Sequence, residues 1–241
     1  MAVTYDLVAV GDVMLDVHVP AAPLDGVVHD AIRVRAGGSA VNAARCARRL
    51  NATAAVVGGV GDDAAAAAIR DELRRAHIDA LLETAAGATG TVVYVGAGVV
   101  ADRGANAGFR PRELPAARVT LVSGYLDEQA VHDALAHAAG LRALDLQRPG
   151  QPGFAADVVL GPGIPVDELA ARHQVVCSTL GAGGAVAVRG AERVEVAVPC
   201  VLAESPRGAG DAFAAAFLLA LADGRELRSC VQRGCEAALR L

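Results

Sequence analysis

Lysine is absent from this chain of 241 residues, and all 22 basic residues are arginine. That excludes a Walker-type phosphate loop, which needs a Gly-Lys-Ser/Thr core. Tryptophan is absent as well, and aromatic residues make up only 3%. The interior must therefore close by packing Ala, Val and Leu, and a pocket that stacks a nucleobase finds little support. A basic excess is also missing. The net charge is -5 and the pI near 5.7, so no surface is set up to neutralise nucleic-acid phosphates and no nucleic-acid partner is expected. The five cysteines, Cys46, Cys177, Cys200, Cys230 and Cys235, contain no Cys-x-x-Cys. Four of the five sit in apolar or helical stretches and read as small buried thiols, not as zinc ligands or a disulfide framework. No uncharged apolar run approaches the roughly 18 residues of a membrane span, and no basic segment leads into a long apolar one. A cytoplasmic protein without a membrane partner is expected.

The residues that are present describe a globular α/β chain. Hydrophobic residues make up 54% and charged residues 20%, and the length suits one domain, residues 1–241. Short apolar runs at 5–10, 54–57, 119–122, 143–146, 158–160 and 175–177 read as buried strands. Residues 185–188 and 194–198 flank Gly190 as a hairpin. Helical patterns cover 39–50, 64–77, 127–139, 209–222 and 226–239, with Asp62 or Asp63 as a candidate N-cap. Strands alternating with helices predict a doubly wound, mostly parallel sheet flanked by helices, whose sites gather at the carboxyl ends of the strands. Residues 17–35 and 91–100 are β-branched and broken by Gly, and read as strands of a small lid beside that sheet. Glu72-Leu73-Arg74-Arg75 reads as a solvated helix face. The Gly96-Ala97-Gly98 pattern imitates a dinucleotide fingerprint, but Gly104, Gly108 and Pro111 follow where a helix should.

The segment with most chemistry is Arg207-Gly208-Ala209-Gly210-Asp211 followed by an apolar helix. Small residues keep side chains off the turn, and the helix start adds free N–H groups and the positive end of its dipole, which together suit an anion. Asp211 would repel a bound phosphate, but it suits a base that takes the proton of an attacking hydroxyl. A plain helix start with Asp211 in a capping role explains the same residues.

Gly208-Ala209-Gly210-Asp211-Ala212-Phe213 resembles the C-terminal signature of the ribokinase-like (PfkB) carbohydrate kinases. Gly37-Gly38-Ser39-Ala40-Val41-Asn42-Ala43-Ala44, continuing to Gly58-Gly59-Val60-Gly61-Asp62-Asp63, resembles their N-terminal signature. Thr179-Leu180-Gly181-Ala182-Gly183-Gly184 is similar to their nucleotide loop, and Asp102–Ala107 and Ser123-Gly124-Tyr125 also resemble family segments. The matches fall in the family's order and cover most of the chain. The resemblance implies a central sheet with a β lid over the sugar and transfer of phosphate from ATP, with Mg2+, to a sugar hydroxyl. It implies Asp211 as base, with Gly208, Ala209 and Gly210 donating amides to the phosphate in flight. Asp16, Gly37, Gly38 and Asn42 would bind substrate hydroxyls, with Asp12 a competitor for the role of Asp16. Thr179, Gly181 and Gly184 would line the ATP site. A homodimer through the lid is a further implication of the resemblance alone.

Two segments depart from that pattern. Ser205-Pro206-Arg207 replaces Asp-Thr-Thr, removing an acid that helps hold an activating monovalent cation; Arg207 either supplies charge near the phosphates in its stead or points to solvent. The usual Asn-x-x-Glu is missing after residues 158–160, which leaves Asp167 and Glu168 as the candidates to reach Mg2+ through water. These departures keep a second reading open: a non-catalytic sugar- or nucleotide-binding relative.

Overall fold

A computed structural model describes residues 4–19, 32–96, 98–147, 154–198 and 207–240. Residues 20–31 of the first lid segment, Ala97, Cys200 and Ser205-Pro206 lie outside the described residues. In chain order the strands begin with β1 (Tyr5–Val10), β2 (Met14–Val19), β3 (Arg33–Gly37), β4 (Ala54–Val60) and β5 (Asp79–Thr84). They continue with β6 (Thr91–Val95), β7 (Gly98–Asp102), β8 (Ala117–Ser123), β9 (Leu141–Asp145) and β10 (Val158–Pro162), and end with β11 (Val175–Thr179), β12 (Ala185–Arg189) and β13 (Glu192–Val196). The helices are α1 (Ser39–Arg49), α2 (Ala64–Arg75), α3 (Glu128–His137), the short α4 (Val166–Leu169), α5 (Ala209–Ala222) and α6 (Leu227–Leu239).

The main sheet has nine strands in the order β13-β12-β11-β10-β9-β8-β1-β4-β5. From β11 to β5 every pairing is parallel, and the β12–β13 hairpin closes one edge in antiparallel fashion. One core lies between a sheet face and α1, α2, α5 and α6, and a second lies between the other face and α3 and α4. Because both faces are covered, β4 and the Leu7–Val10 stretch of β1 read as unbroken apolar runs. From β1 the chain goes first to β4 on one side and later to β8 on the other, so the strand order reverses at β1. A crevice at the carboxyl ends of the strands is the geometric result of such a reversal.

Local chemistry sets the boundaries. Asp63 caps α2 by accepting from the Ala66 amide at 2.9 Å, and Asp127 caps α3 by accepting from Ala130 at the same distance. In α5 the residues Ala212 to Ala220 are all buried, as expected of a helix that is apolar on every side. Strand β4 runs on through Gly58-Gly59 instead of ending there. A Cβ at Gly58 would lie 2.6 Å from the Gly11 carbonyl oxygen, and one at Gly59 would lie 2.9 Å from Phe109. These glycines mark close approach inside a strand rather than a turn. The edge strand β5, with Asp79 and Glu83 among its residues, escaped the apolar-run pattern. On either side of the Gly96-Ala97-Gly98 pattern β6 and β7 pair antiparallel, with Val95 opposite Gly98, so the dinucleotide pattern has no helix to open.

A second sheet of four strands, order β3-β2-β6-β7, stands beside the main one. It joins the body at Ala36, whose amide donates to Glu72 at 2.7 Å while its carbonyl accepts from Arg45 at 2.6 Å. Arg45 also pairs with Glu72. Glu72 is therefore no solvated face: it accepts from the amide of the residue before Gly37-Gly38 and holds the Arg45 that binds that residue's carbonyl. Replacing Glu72 with Ala is expected to cost roughly 1–3 kcal/mol, because it strands a half-buried guanidinium and a backbone donor. Denaturant unfolding measures this, and a loss below the error of the extrapolation would remove the argument.

Candidate active site

A cavity of about 670 Å³ opens where the crevice meets the small sheet. Its floor comes from the carboxyl ends of successive strands: Asp12 after β1, Tyr125 after β8, Asp145 at the end of β9 and Thr179 at the end of β11. Asp16, Val92 and Tyr94 of the small sheet form one wall, and Asn42 of α1 and the Gly208–Asp211 turn complete it.

The turn owes its shape to glycine. Gly208 sits at φ 81°, in the left-handed region, and a Cβ there would crowd Asn42 at 3.3–3.6 Å. Among the described residues nothing beyond its own helix lies within 4 Å of a Cβ built on Gly210, so the helix start keeps an open approach. Asp211 stands in the first turn of α5 and lines the cavity. The residue at the N-cap, Gly208, makes no side-chain cap bond. The Asp211 carboxylate instead accepts from the Asn42 side-chain amide at 2.9 Å. Burial pushes the Asp211 carboxyl up to about 7, reinforced by Asp16 and opposed by the Asn42 hydrogen bond.

Asp16 and Asp12 both reach the cavity, but in different states. Arg103 takes both oxygens of Asp12, from Nε at 3.1 Å and Nη2 at 2.8 Å. Asp16 is 3% exposed, and its Oδ1 is buried without a hydrogen-bond partner among the described residues. Its nearest cation is Arg35, with Nε 3.9 Å away. Burial raises the Asp16 carboxyl, with Arg35, Arg45 and Arg207 acting in the other direction. A Cβ at Gly37 would fall 2.2 Å from the Asp16 carboxyl, so the bare backbone is what makes room for that side chain. Gly38 adopts φ 91°, and a Cβ there would meet the Asp12 carbonyl oxygen at 2.2 Å. Asn106, buried after β7, locks this neighbourhood by accepting from the Val13 amide and donating to the Val13 carbonyl, both at 2.9 Å.

Thr179, Gly181 and Gly184 line the far end of the same cavity. Gly181 and Gly184 take φ 57° and 93°, and a Cβ at Gly184 would strike the Val196 carbonyl oxygen. The cavity also holds Asp145, which the sequence reading passed over. It is buried, accepts from the Gln147 amide at 2.9 Å, and is held well above the usual carboxylate range by burial and by Asp211. The available signal was its position as the last residue of an apolar strand.

Asp167 and Glu168 are not brought to the cavity. They lie on α4 at the sheet's outer surface, where Asp167 pairs with Arg193 at 2.6 Å and Glu168 with Arg172 at 3.7 Å. Among the described residues no group of three or more His, Cys, Asp or Glu could hold a metal ion. Arg207 is neither turned into the Gly208–Asp211 turn nor free in solvent. Its guanidinium carbon lies 3.9 Å from the centroid of the Tyr94 ring, and it donates to the Gly96 carbonyl at 3.4 Å.

Residues 5–154 and 166–239 match the family model of the pfkB family carbohydrate kinases. The chain belongs to that family. The gap in the match, residues 155–165, spans β10 and the approach to α4, where the expected Asn-x-x-Glu is missing. A search of curated proteins finds no match. Among solved structures, adenosine kinase from Sinorhizobium meliloti is similar at 22% identity, with 98% of this chain and 93% of that one covered and a TM-score of 0.76. Ribokinase from Arabidopsis thaliana, complexed with ribose and ATP, shares 18% identity over 98% and 92% at a TM-score of 0.73. Adenosine kinase from Schistosoma mansoni, in complex with adenosine and AMP, shares 15% over 99% and 95% at 0.77. At these identities the likeness is one of fold: the large mostly parallel sheet flanked by helices is the ribokinase-like arrangement. Among the described residues no helix of this pfkB-family chain is long and apolar enough to cross a membrane.

Proposed function

We propose that this pfkB-family protein is a kinase that transfers the terminal phosphoryl group of ATP to a hydroxyl of a small sugar or sugar-like acceptor. The observation that carries the reading is the Asp211 carboxyl, poised near pH 7 beside an open glycine turn and facing a cavity large enough for two small ligands. We infer one kinase domain over residues 1–241, with the small sheet as the lid and a cytoplasmic setting. Its outer face, where Val34, Val17, Val93 and Val100 lie in one cross-strand row with Val100 71% exposed, supports a homodimer through the lid.

In this reading the acceptor lies between Asp16, Gly38, Asn42 and the lid, with the unpartnered Asp16 oxygen and the Asn42 amide meeting its hydroxyls. Asp211 accepts the proton of the reacting hydroxyl as that oxygen attacks. Asn42 aims the carboxylate, and the amides of Gly208, Ala209 and Gly210 at the positive end of α5 balance the growing charge. Thr179, Gly181 and Gly184 bind the nucleotide end. Bound Mg-ATP would supply the phosphoryl group and shield its charge. Asp145, a buried carboxylate in the cavity, is the residue suited to hold that ion, in keeping with a cation that keeps most of its water and takes one or two carboxylates. Asp167 and Glu168 are set aside for that role. No monovalent cation is assigned, and Arg207 serves the lid rather than the nucleotide.

The interruption of the family match at residues 155–165 favours one alternative, a sugar- or nucleotide-binding relative without turnover. ADP release with a panel of pentoses, hexoses and nucleosides separates the two. The kinase reading expects release with at least one acceptor, and kcat/KM that rises with pH and levels off above about 7 as Asp211 ionises. Binding of a sugar without ADP release from any acceptor would establish the alternative.

A further inference from the structure

The inner face of the small sheet carries charge that the transfer reaction does not use. Strand register sets two cross-strand rows there, one running Arg35, Asp16, Val92 and the other Arg33, His18, Tyr94. Asp16, Val92 and Tyr94 line the cavity, so the side chains of Arg33, Arg35 and His18 belong to the same face. Arg207 arrives from the phosphate turn and lies against Tyr94. The His18 ring stacks on Tyr94 with centroids 4.6 Å apart.

Three guanidinium groups thus lie around one imidazole, and among the described residues Asp16 is the one carboxylate that faces them. Among the described residues neither Arg33 nor Arg207 has a carboxylate in ion-pair range, and Arg35 has only Asp16 at 3.9 Å. Burial, then Arg35, Arg207 and Arg33, draw the His18 imidazole below its ordinary value. Its Nε2 is buried and has no hydrogen-bond partner among the described residues. Like charges gathered beside an orphaned polar atom are unfavourable unless something negative joins them. Guanidinium groups are suited to phosphate and carboxylate through paired N–H donors.

We propose that this row is a subsite for an anionic substituent of the acceptor, a phosphate ester or a carboxylate, so that the preferred substrate is a charged sugar rather than a neutral one. The proposal rests on the acceptor lying beside Asp16, as in the kinase reading. Two residues of strand separate the Asp16 row from the His18 row, about 7 Å, which is the span of a five- or six-carbon chain. One end of such a molecule can present its hydroxyl to Asp211 while the other meets Arg33, Arg35 and His18.

The test is equilibrium binding of fructose 6-phosphate, gluconate and fructose to the whole protein by calorimetry, without nucleotide, at low and high salt. At least one anionic sugar is expected to bind about tenfold or more tightly than fructose at low salt, with the gap closing at high salt. Which of the two binds identifies phosphate or carboxylate as the group recognised. Arg33 is exposed, and Arg33→Gln is expected to shrink the preference while Arg33→Glu abolishes it, with fructose binding unchanged in both. The His18 imidazole, followed by NMR, should titrate at higher pH when the anionic sugar is bound. Equal affinity for all three sugars, or a preference that survives Arg33→Glu, overturns the proposal. ADP release with neutral acceptors and no anion preference sinks this inference and leaves the kinase reading intact. Arginine-dependent binding without ADP release does the reverse.

Discussion

Replacing Asp211 with Asn is expected to lower phosphoryl transfer by about 10²–10⁴-fold, while making the folded protein more stable above neutral pH. The two effects share one cause. The carboxyl is held by burial at about 7, whereas a free aspartate ionises near 3.8. A group whose folded pKa is raised contributes stability that is fully present below the unfolded value and is lost as pH rises through the folded one. At pH 8 the native protein therefore carries a buried charge that the amide removes. The gain is roughly 1–3 kcal/mol, less than the full shift would give because Asp211 lines a cavity open to solvent. The side chain changes little in volume, and an amide oxygen can still accept from Asn42. Thermal unfolding should show the variant's advantage absent at pH 3, below the unfolded pKa, partial at pH 5 and largest at pH 8. Turnover near that of the parent protein, with folding intact, would refute the role of base.

The second large effect is expected at Gly38. Alanine there faces two penalties at once: a backbone at φ 91°, and a Cβ 2.2 Å from the Asp12 carbonyl oxygen, a backbone atom that cannot swing aside. A loss of more than about 3 kcal/mol is expected, with sugar binding lost as α1 and Asn42 shift. Gly37 provides the contrast. Its φ lies outside the strained region, and the atoms nearest an added Cβ are those of the Asp16 carboxyl, a side chain, at 2.2–2.3 Å. Gly37→Ala should expel that side chain, raise KM sharply and leave kcat and stability less affected. Denaturant unfolding together with acceptor titration checks the pair. If both variants behaved alike, Asp16 would not be the group that Gly37 accommodates.

Much of the fold was legible because the parallel strands are short apolar runs buried on both faces, and because α5 is apolar without interruption. What escaped depends on neighbours that no local pattern names. Strand β5 mixes Asp79 and Glu83 with leucines at the sheet edge, so its run is broken. Glu72 looks like surface charge until α1 brings Arg45 to it and β3 delivers the Ala36 backbone. The glycine turns and Asp211 could be singled out because glycine at a required φ and an acid at a helix start have local reasons. Asp145 offered only its place at the end of an apolar strand, since it is the sheet order that sets the end of β9 beside the first turn of α5. Asp167 and Glu168 looked suitable by charge, but α4 carries them to the outside, where arginines neutralise them.

The missing tryptophan has an optical consequence. Tyrosine is left as the chain's emitting side chain, with three copies in all. Tyr5 sits at the amino end of β1, bonded to Asp79, while Tyr94 and Tyr125 both line the cavity. Tyr94 lies between an imidazole and a guanidinium, and Tyr125 is half exposed above the acids of the floor. Filling the cavity changes the surroundings of two emitters out of three, so the unlabelled protein carries its own luminescent indicator of occupancy.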